Sequence, residues 1–209
     1  MQTMRKTDLK RDLAALYRPP RDPVLVDVPP LRYLAIDGEG RPGEGEGFEA
    51  AIRALYPVAY TVKFELRRTE GLDVTVMPLE ALWRSVGMST EGSDQLARSD
   101  GNWDWTAMIL QADAVTEEMV ERIAAGVAEK KDLPVARDIR LRELREGRAA
   151  QLLYVGPWSE EAPTIERLHA FVAGEGLRPA GAHHEIYLSD PRRTAPERLK
   201  TVIRQPVTT

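Results

Sequence analysis

The feature that most constrains this chain is an order of elements that occurs twice. The first pass runs from a strand ending at Leu34-Ala35-Ile36-Asp37-Gly38 through a glycine-rich loop to a helix from Phe48. The strands VMPLEALW (76–83) and WDWTAMILQ (103–111) follow. The second pass lays Leu152-Leu153-Tyr154-Val155-Gly156 over that first strand. It continues with a helix carrying Ile165, Leu168 and Val172, then the strands AHHEIYLS (182–189) and KTVIRQPV (200–207). This is strand, loop, helix, strand, strand, repeated. A unit this small buries its core poorly alone. Paired, the units give one curved sheet with helices outside and a cleft where the halves meet. The expected fold class is therefore α+β: two βαββ modules in a pseudo-two-fold arrangement with a central ligand cleft. The chain reads as a single domain over 1–209, with modules at about 24–112 and 137–207 joined by a helix at about 116–131. Thr116 suits the N-cap of that helix, Glu117 and Glu118 its positive end, and Val120, Ile123, Ala124 and Val127 its buried stripe. The overlay also sets Glu80 roughly opposite Glu185.

Local signals place the remaining elements. Leu9, Leu13 and Leu16 have helical spacing, predicting a short helix within 1–18. Val24 to Asp37 reads as one strand interrupted at Pro29-Pro30, and Asp73 to Arg84 as one strand with a bulge at Pro78. The helix from Phe48 carries Ile52, Leu55, Tyr56 and Ala59 on one stripe and should kink at Pro57. Ile139 to Glu146 and Arg148 to Val155 are extended runs broken at Gly147. Thr194-Ala195-Pro196-Glu197 is a capping box that should open a short helix. Val86 to Gly101 is polar, glycine-containing and without periodicity, the mark of a long loop.

Composition then narrows function. Among 209 residues there is no cysteine, so thiolate and disulfide chemistry are excluded. No apolar run approaches the roughly 20 residues that span a bilayer. The N-terminus has basic residues but no apolar core of a signal peptide, so a cytoplasmic location is expected. A net charge of −4 argues against a general nucleic-acid binder. The basic clusters at Met4 to Arg21 and Arg137 to Arg148 read as solvated surface. Three histidines, two adjacent, offer no metal-site spacing. No nucleophile elbow, P-loop or dinucleotide fingerprint occurs, so no cofactor is expected. Gly38-Glu39-Gly40 and Gly43-Glu44-Gly45-Glu46-Gly47 are glycine-rich, but their interleaved glutamates would repel a phosphate.

The stretch from Gly181 to Val207 carries the candidate site. In the strand His183 to Ser189, alternation sets His183, Glu185 and Tyr187 on one face and His184, Ile186 and Leu188 on the other, core-facing side. Glu185 is either a solvated glutamate on an open sheet face or a carboxylate lining an apolar cavity. In the cavity its pKa would rise, and it could bind a cation or move a proton. Tyr56 and Tyr60 are helical neighbours that read equally as rim aromatics.

Several motifs together resemble the GyrI-like small-molecule-binding domain proteins, in particular stand-alone members. They are Lys6-Thr7-Asp8-Leu9, IDGEG (36–40), ALYPVAYTVKF (54–64), VMPLEALW (76–83), WDWTAMI (103–109), VGPWSEEAPTIERLHAF (155–171) and HHEIYLSDPRR (183–193). The resemblance covers nearly the whole chain. It implies a cleft lined by aromatics around an acid. That acid falls at Glu185, with a wall drawn from Tyr56, Tyr60, Trp83, Trp105, Tyr154, Trp158, His183 and Tyr187. Trp83 and Glu80 have opposite strand parity, so only one of them can face the cleft without a bulge. Trp158 stands where the family pattern suggests a tyrosine. The DNA-binding region of regulator relatives has no counterpart, since residues 1–23 are too short for it.

The resemblance implies three functions. One is a receptor or sequestrant for planar lipophilic, hydrophobic or cationic small molecules, including xenobiotics. Another is a detoxifying hydrolase that opens electrophilic cyclopropane rings of cyclopropanoid DNA-alkylating compounds, with Glu185 activating water and Tyr187 or Tyr56 supporting the developing charge. The third is a protein-interaction module of the gyrase-inhibitor type. No nucleic-acid or membrane partner is implied.

Overall fold

The computed structural model describes residues 4–40, 46–85 and 103–209. In chain order its elements are β1 (Arg5–Thr7), α1 (Leu9–Asp12), α2 (Ala14–Tyr17), β2 (Val24–Val28), β3 (Leu31–Glu39), α3 (Gly47–Thr69), β4 (Leu72–Val74), β5 (Leu79–Ser85) and β6 (Trp103–Leu110). They continue with α4 (Glu117–Lys130), β7 (Arg140–Leu144), β8 (Gly147–Val155), α5 (Ala162–Gly174), β9 (Arg178–Pro179), β10 (His183–Tyr187) and β11 (Lys200–Thr208).

The main sheet has the strand order β2-β8-β11-β10-β5-β6-β3-β7, with β9 added against β11. Two βαββ units are visible in it, β3-α3-β5-β6 and β8-α5-β10-β11. Each lays its last strand between its other two, so the strand order reads the same inward from both sides. The units meet antiparallel at β5 and β10. The expected paired modules are therefore present, and β10, with Glu185, lies at their junction.

The strands that lead into each unit are exchanged. β2 runs directly into β3 yet pairs with β8 of the other unit, and β7 runs into β8 yet pairs with β3. The register does not slip across the bend: Val28 faces Gly147, and Leu31 faces Leu144. The bend falls at Pro29-Pro30, which have no N–H to give a ladder, opposite the turn ending at Gly147 with φ +68°.

Three expectations need correction. The run Asp73 to Arg84 is two strands rather than one bulged strand. β4 leaves the main sheet and pairs in parallel with β1, and Pro78 precedes β5. The N-terminal segment is a strand followed by two four-residue helical turns, not one helix. The segment at the proposed capping box forms only a 3-10 turn, Pro196–Arg198. α3 runs as one helix through Pro57, with Ala54, Leu55, Val58 and Ala59 buried around it. α4 starts as expected: the Thr116 hydroxyl accepts from the Met119 N–H at 3.2 Å. The Val86 to Gly101 loop and residues 41–45 lie outside the described residues.

The helices cover one face of the sheet. Phe48 of α3 sits on Trp83 and Trp105, while Ile165, Leu168 and Val172 of α5 pack on Leu152, Tyr154 and Ile203. The opposite face is closed by α2 over a buried polar network. His184 is fully buried between two carboxylates, with Nδ1 2.8 Å from Glu146 and Nε2 2.9 Å from Glu80. The Tyr17 hydroxyl donates to Glu80 at 2.5 Å. Arg204 donates to Glu146 at 3.0 Å, to Gln151 at 3.0 Å and to the Leu16 carbonyl at 3.1 Å. Every buried charge here has an opposite partner, as burial demands. Among the described residues no helix is long and apolar enough to cross a membrane.

Candidate functional site

The alternation of β10 sets His183, Glu185 and Tyr187 on one face, as the sequence predicts, but that face is the helix-covered one, and the strand is buried on both sides rather than only on the side of His184 and Ile186. Its antiparallel register with β5 sets Trp83 beside His183 and Ala81 beside Glu185. β11 brings Ile203 and Thr201 alongside from the other direction. Trp83 is in turn paired with Trp105 on β6. The result is an aromatic cluster assembled from both units. Phe48 lies 5.0 Å from Trp83 and 5.1 Å from Trp105 between ring centroids, and Trp103 lies 6.4 Å from Trp83. Trp158 packs edge-on against Tyr187 at 5.4 Å. Two indole N–H groups fix the rings: Trp83 donates to the Tyr187 hydroxyl at 3.2 Å, and Trp158 to Thr201 Oγ1 at 3.0 Å.

Trp105 lies so close over β3 that only glycine fits beneath it. A Cβ on Gly38 would stand 2.2 Å from the indole ring. Gly38→Ala is therefore expected to displace Trp105 and destabilise the protein by about 1–3 kcal/mol, the usual overpacking cost. A denaturant melt followed by tryptophan emission would measure it; an unchanged midpoint and spectrum would contradict this packing.

On the sheet face that carries Trp83 and Tyr187, Glu185 is 5% exposed, so it is an enclosed carboxylate and not a solvated one. His183, also 5% exposed, has Nε2 3.3 Å from Glu185 Oε1, yet neither ring nitrogen has a well-aligned hydrogen-bond partner. The Tyr187 phenol is turned to the same carboxylate. Burial, the Glu185 charge and the hydrogen bond to it push that phenol well above its ordinary range.

A second carboxyl, not foreseen from the sequence, completes the site. Glu161, at the start of α5, faces Glu185, and its Oε2 is buried with no donor. Burial, then the Glu185 charge, then the hydrogen bond between the two carboxyls raise Glu161 to about 9. A carboxyl raised so far keeps its proton at neutral pH. Acids are ordinary at a helix start, which hid Glu161 among the residues after Trp158.

The other expected wall residues divide. Trp83, His183 and Tyr187 share the sheet face of Glu185, Trp105 joins them beside Trp83, and Trp158 joins them on Tyr187. Tyr154 is on the same face but donates its hydroxyl to the Pro157 carbonyl at 2.7 Å, under Gly156. It thus braces the turn that presents Trp158. Tyr56 meets the Leu79 backbone, and Tyr60 is 49% exposed on α3. Among the described residues no ring contact joins either to the tryptophans. Glu80 does not match Glu185: it stands across from Ile186 and points to the opposite face, toward His184. Phe48 and Trp103 join the cluster although neither stood among the expected wall residues.

A sheet of two βαββ units with an aromatic site at their junction is the architecture of a ligand-binding domain. Residues 108–208 match the family model of the GyrI-like small molecule binding domain. No curated protein matches the chain. An uncharacterized conserved protein from Listeria innocua is 39% identical, with a TM-score of 0.85 over 96% of this chain and 99% of its own. A hydrolase from Listeria innocua is 36% identical, with a TM-score of 0.82 over 98% of this chain and 100% of its own. The C-terminal domain of EcmrR, 11% identical with a TM-score of 0.53 over 90% of this chain and 98% of its own, shares the fold alone. The chain belongs to the GyrI-like small-molecule-binding domain family.

Proposed function

We propose that this protein is a cytoplasmic receptor for planar, lipophilic small molecules, xenobiotics among them, held against the aromatic cluster around Glu185. The two units, about 24–112 and 137–207, serve as one binding domain. The observation that carries this reading is the cluster itself: Phe48, Trp83, Trp103 and Trp105 pack on one another, Trp158 packs on Tyr187, the Trp83 N–H joins the two groups through the Tyr187 hydroxyl, and the buried Glu185 shares their strand face. Flat ligands gain area and stacking on such rings, and a cation gains attraction to both the rings and the carboxylate. All four tryptophans of the chain lie in the cluster. A planar neutral probe such as phenanthridine and a planar cation such as ethidium are therefore expected to change tryptophan emission on binding, with matching heats by calorimetry. No emission change and no heat with either probe would sink the reading.

A second reading is supported by the carboxyl pair and by the 36% identical hydrolase. In it the ligand is an electrophile, and bound water is added to it with Glu185 as base. An electrophilic cyclopropane conjugated to a carbonyl fits this chemistry, because ring opening needs a base for water and a donor for the oxygen that gains charge. Its destruction would be a detoxification.

A further inference from the structure

We infer that the segment Leu9 to Tyr17 is a releasable strap across the back of the junction between the two units, and that Tyr33 takes the place of Tyr17 on Glu80 when the strap lifts. The strap is lightly held. α1 buries no side chain, and α2 buries Leu16 and Tyr17. Among the described residues, three hydrogen bonds tie α2 to the main sheet. The Tyr17 hydroxyl donates to Glu80 Oε1 at 2.5 Å, Gln151 Nε2 donates to the Ala15 carbonyl at 2.7 Å, and Arg204 donates to the Leu16 carbonyl at 3.1 Å. A segment with so few buried contacts opens at a lower free energy than the whole molecule.

The network beneath is built to survive that opening. His184 stays between Glu80 Oε2 and Glu146, and Arg204 keeps both Glu146 and Gln151. Glu80 Oε1 loses its phenol, and a second phenol is beside it. Tyr33 of β3 lies two residues from Ala35, which is level with Met108 of β6 and so with Glu80 of β5, and all of them face the α2 side. Tyr33 is 1% exposed, and its hydroxyl has no hydrogen-bond partner although Tyr17 and Glu80 are its neighbours. A buried hydroxyl left so is costly, and the cost is recovered when it turns to a carboxylate. There are thus two discrete arrangements: Tyr17 on Glu80 with Tyr33 unbonded, or Tyr33 on Glu80 with the strap lifted. A bistable element of this kind can carry a signal between two faces. The site is within its reach, because His184 sits between His183 and Glu185 on β10, and Glu80 precedes Ala81, the cross-strand partner of Glu185. As a control on ligand uptake this rests on the binding reading above; the strap itself does not.

The test is hydrogen exchange by NMR on the full chain, read at the α2 amides of Leu16, Tyr17 and Arg18, which bond within the segment. In wild type they should exchange at least about tenfold faster than the amides of β10 and β11. Two variants remove the same hydroxyl with opposite expected results. Tyr17→Phe weakens the closed arrangement, so α2 exchange should rise about 10–100-fold, the usual value of a hydrogen bond to a charged group. Tyr33→Phe weakens the lifted arrangement alone, so α2 exchange should fall by a similar factor. The Trp83 indole N–H, held by Tyr187 on the site face, should shift in Tyr17→Phe and keep its place in Tyr33→Phe. Ethidium affinity by calorimetry should change in opposite directions in the two variants. If the α2 amides exchange only together with the strands, there is no releasable strap. If Tyr33→Phe leaves exchange unchanged or speeds it, the exchange of phenols is wrong. If the Trp83 resonance does not move in Tyr17→Phe, the reach to the site is wrong. If wild type takes up no ethidium, the binding reading falls and control of uptake with it, while the exchange rates still decide the strap.

Discussion

Glu185→Gln is expected to lower hydrolytic turnover by about 10²–10⁴-fold while leaving the affinity for a neutral planar ligand nearly unchanged. The amide keeps the size of the side chain and its hydrogen-bonding reach but removes basicity. In a site where Glu185 is 5% exposed, solvent is poorly placed to replace it as a base. The same change removes the site's negative charge, so a planar cation should bind more weakly than to wild type. If the protein is a receptor only, wild type shows no turnover and the charge effect on ethidium is the whole phenotype. Glu80→Gln, attractive from the sequence as a control, is unsuitable: Glu80 is fully buried and holds both Tyr17 and His184. Glu166, exposed on α5, is the better choice, and Glu166→Gln should match wild type. The assays are product formation from an electrophilic cyclopropane conjugated to a carbonyl, such as a spirocyclopropyl cyclohexadienone, and calorimetric binding of ethidium and phenanthridine. A Glu185→Gln protein equal to wild type in all of them would overturn the site assignment.

The second large effect is on stability and lies on the opposite face. His184→Ala or Glu146→Ala should each cost about 3–5 kcal/mol, because removing one member strands a buried charge. In a chain of this length that lowers the midpoint of thermal melting by roughly 6–20 °C. The pH dependence follows from the shifts. Burial works against the charged form of His184, but the Glu146 charge and the hydrogen bonds to both glutamates outweigh it and raise His184 to about 9. Its contribution is full below the unfolded value of 6.5 and is lost as pH rises through about 9. Burial likewise opposes ionisation of Glu146, but His184 and Arg204 overcome it and lower Glu146 to about 2. That contribution is full above 4.5 and is lost as pH falls through about 2. Both are complete between those unfolded values, so the variants should differ most from wild type there. His184→Ala should also flatten the alkaline loss of stability. What remains on that side includes Glu161 and the buried phenols Tyr17, Tyr33 and Tyr187, whose raised groups act in the same direction. Melting curves across pH check this, and a His184→Ala protein melting with wild type at pH 5–6 would refute the network's role.

Much of this protein is written locally. The twofold order of strand, helix, strand and strand is visible because periodicity and glycine placement are properties of short windows. The separation of Glu185 from His184 is equally local, since neighbouring side chains on a strand face opposite ways whatever the strand pairs with. The cap at Thr116 and the bend at Pro29-Pro30 come from the chemistry of single residues. What the sequence could not decide are matters of partnership. Nothing in Asp73 to Arg84 says that its start pairs with β1 while its end joins the main sheet. Nothing in Val24 to Val28 says that this strand crosses to the other unit. Those choices are made by non-local pairing, where each ladder competes with every other. The site depends on the same kind of information. Glu185 becomes an enclosed carboxylate only because β5 and β11 flank it and that face of the sheet is covered. Glu161, unremarked at a helix start, has its carboxyl pushed up only because burial and the Glu185 charge meet it there. Local pattern determined which way each side chain points; desolvation and proximity, which exist only in the folded molecule, decided what it meets there and which protons it keeps.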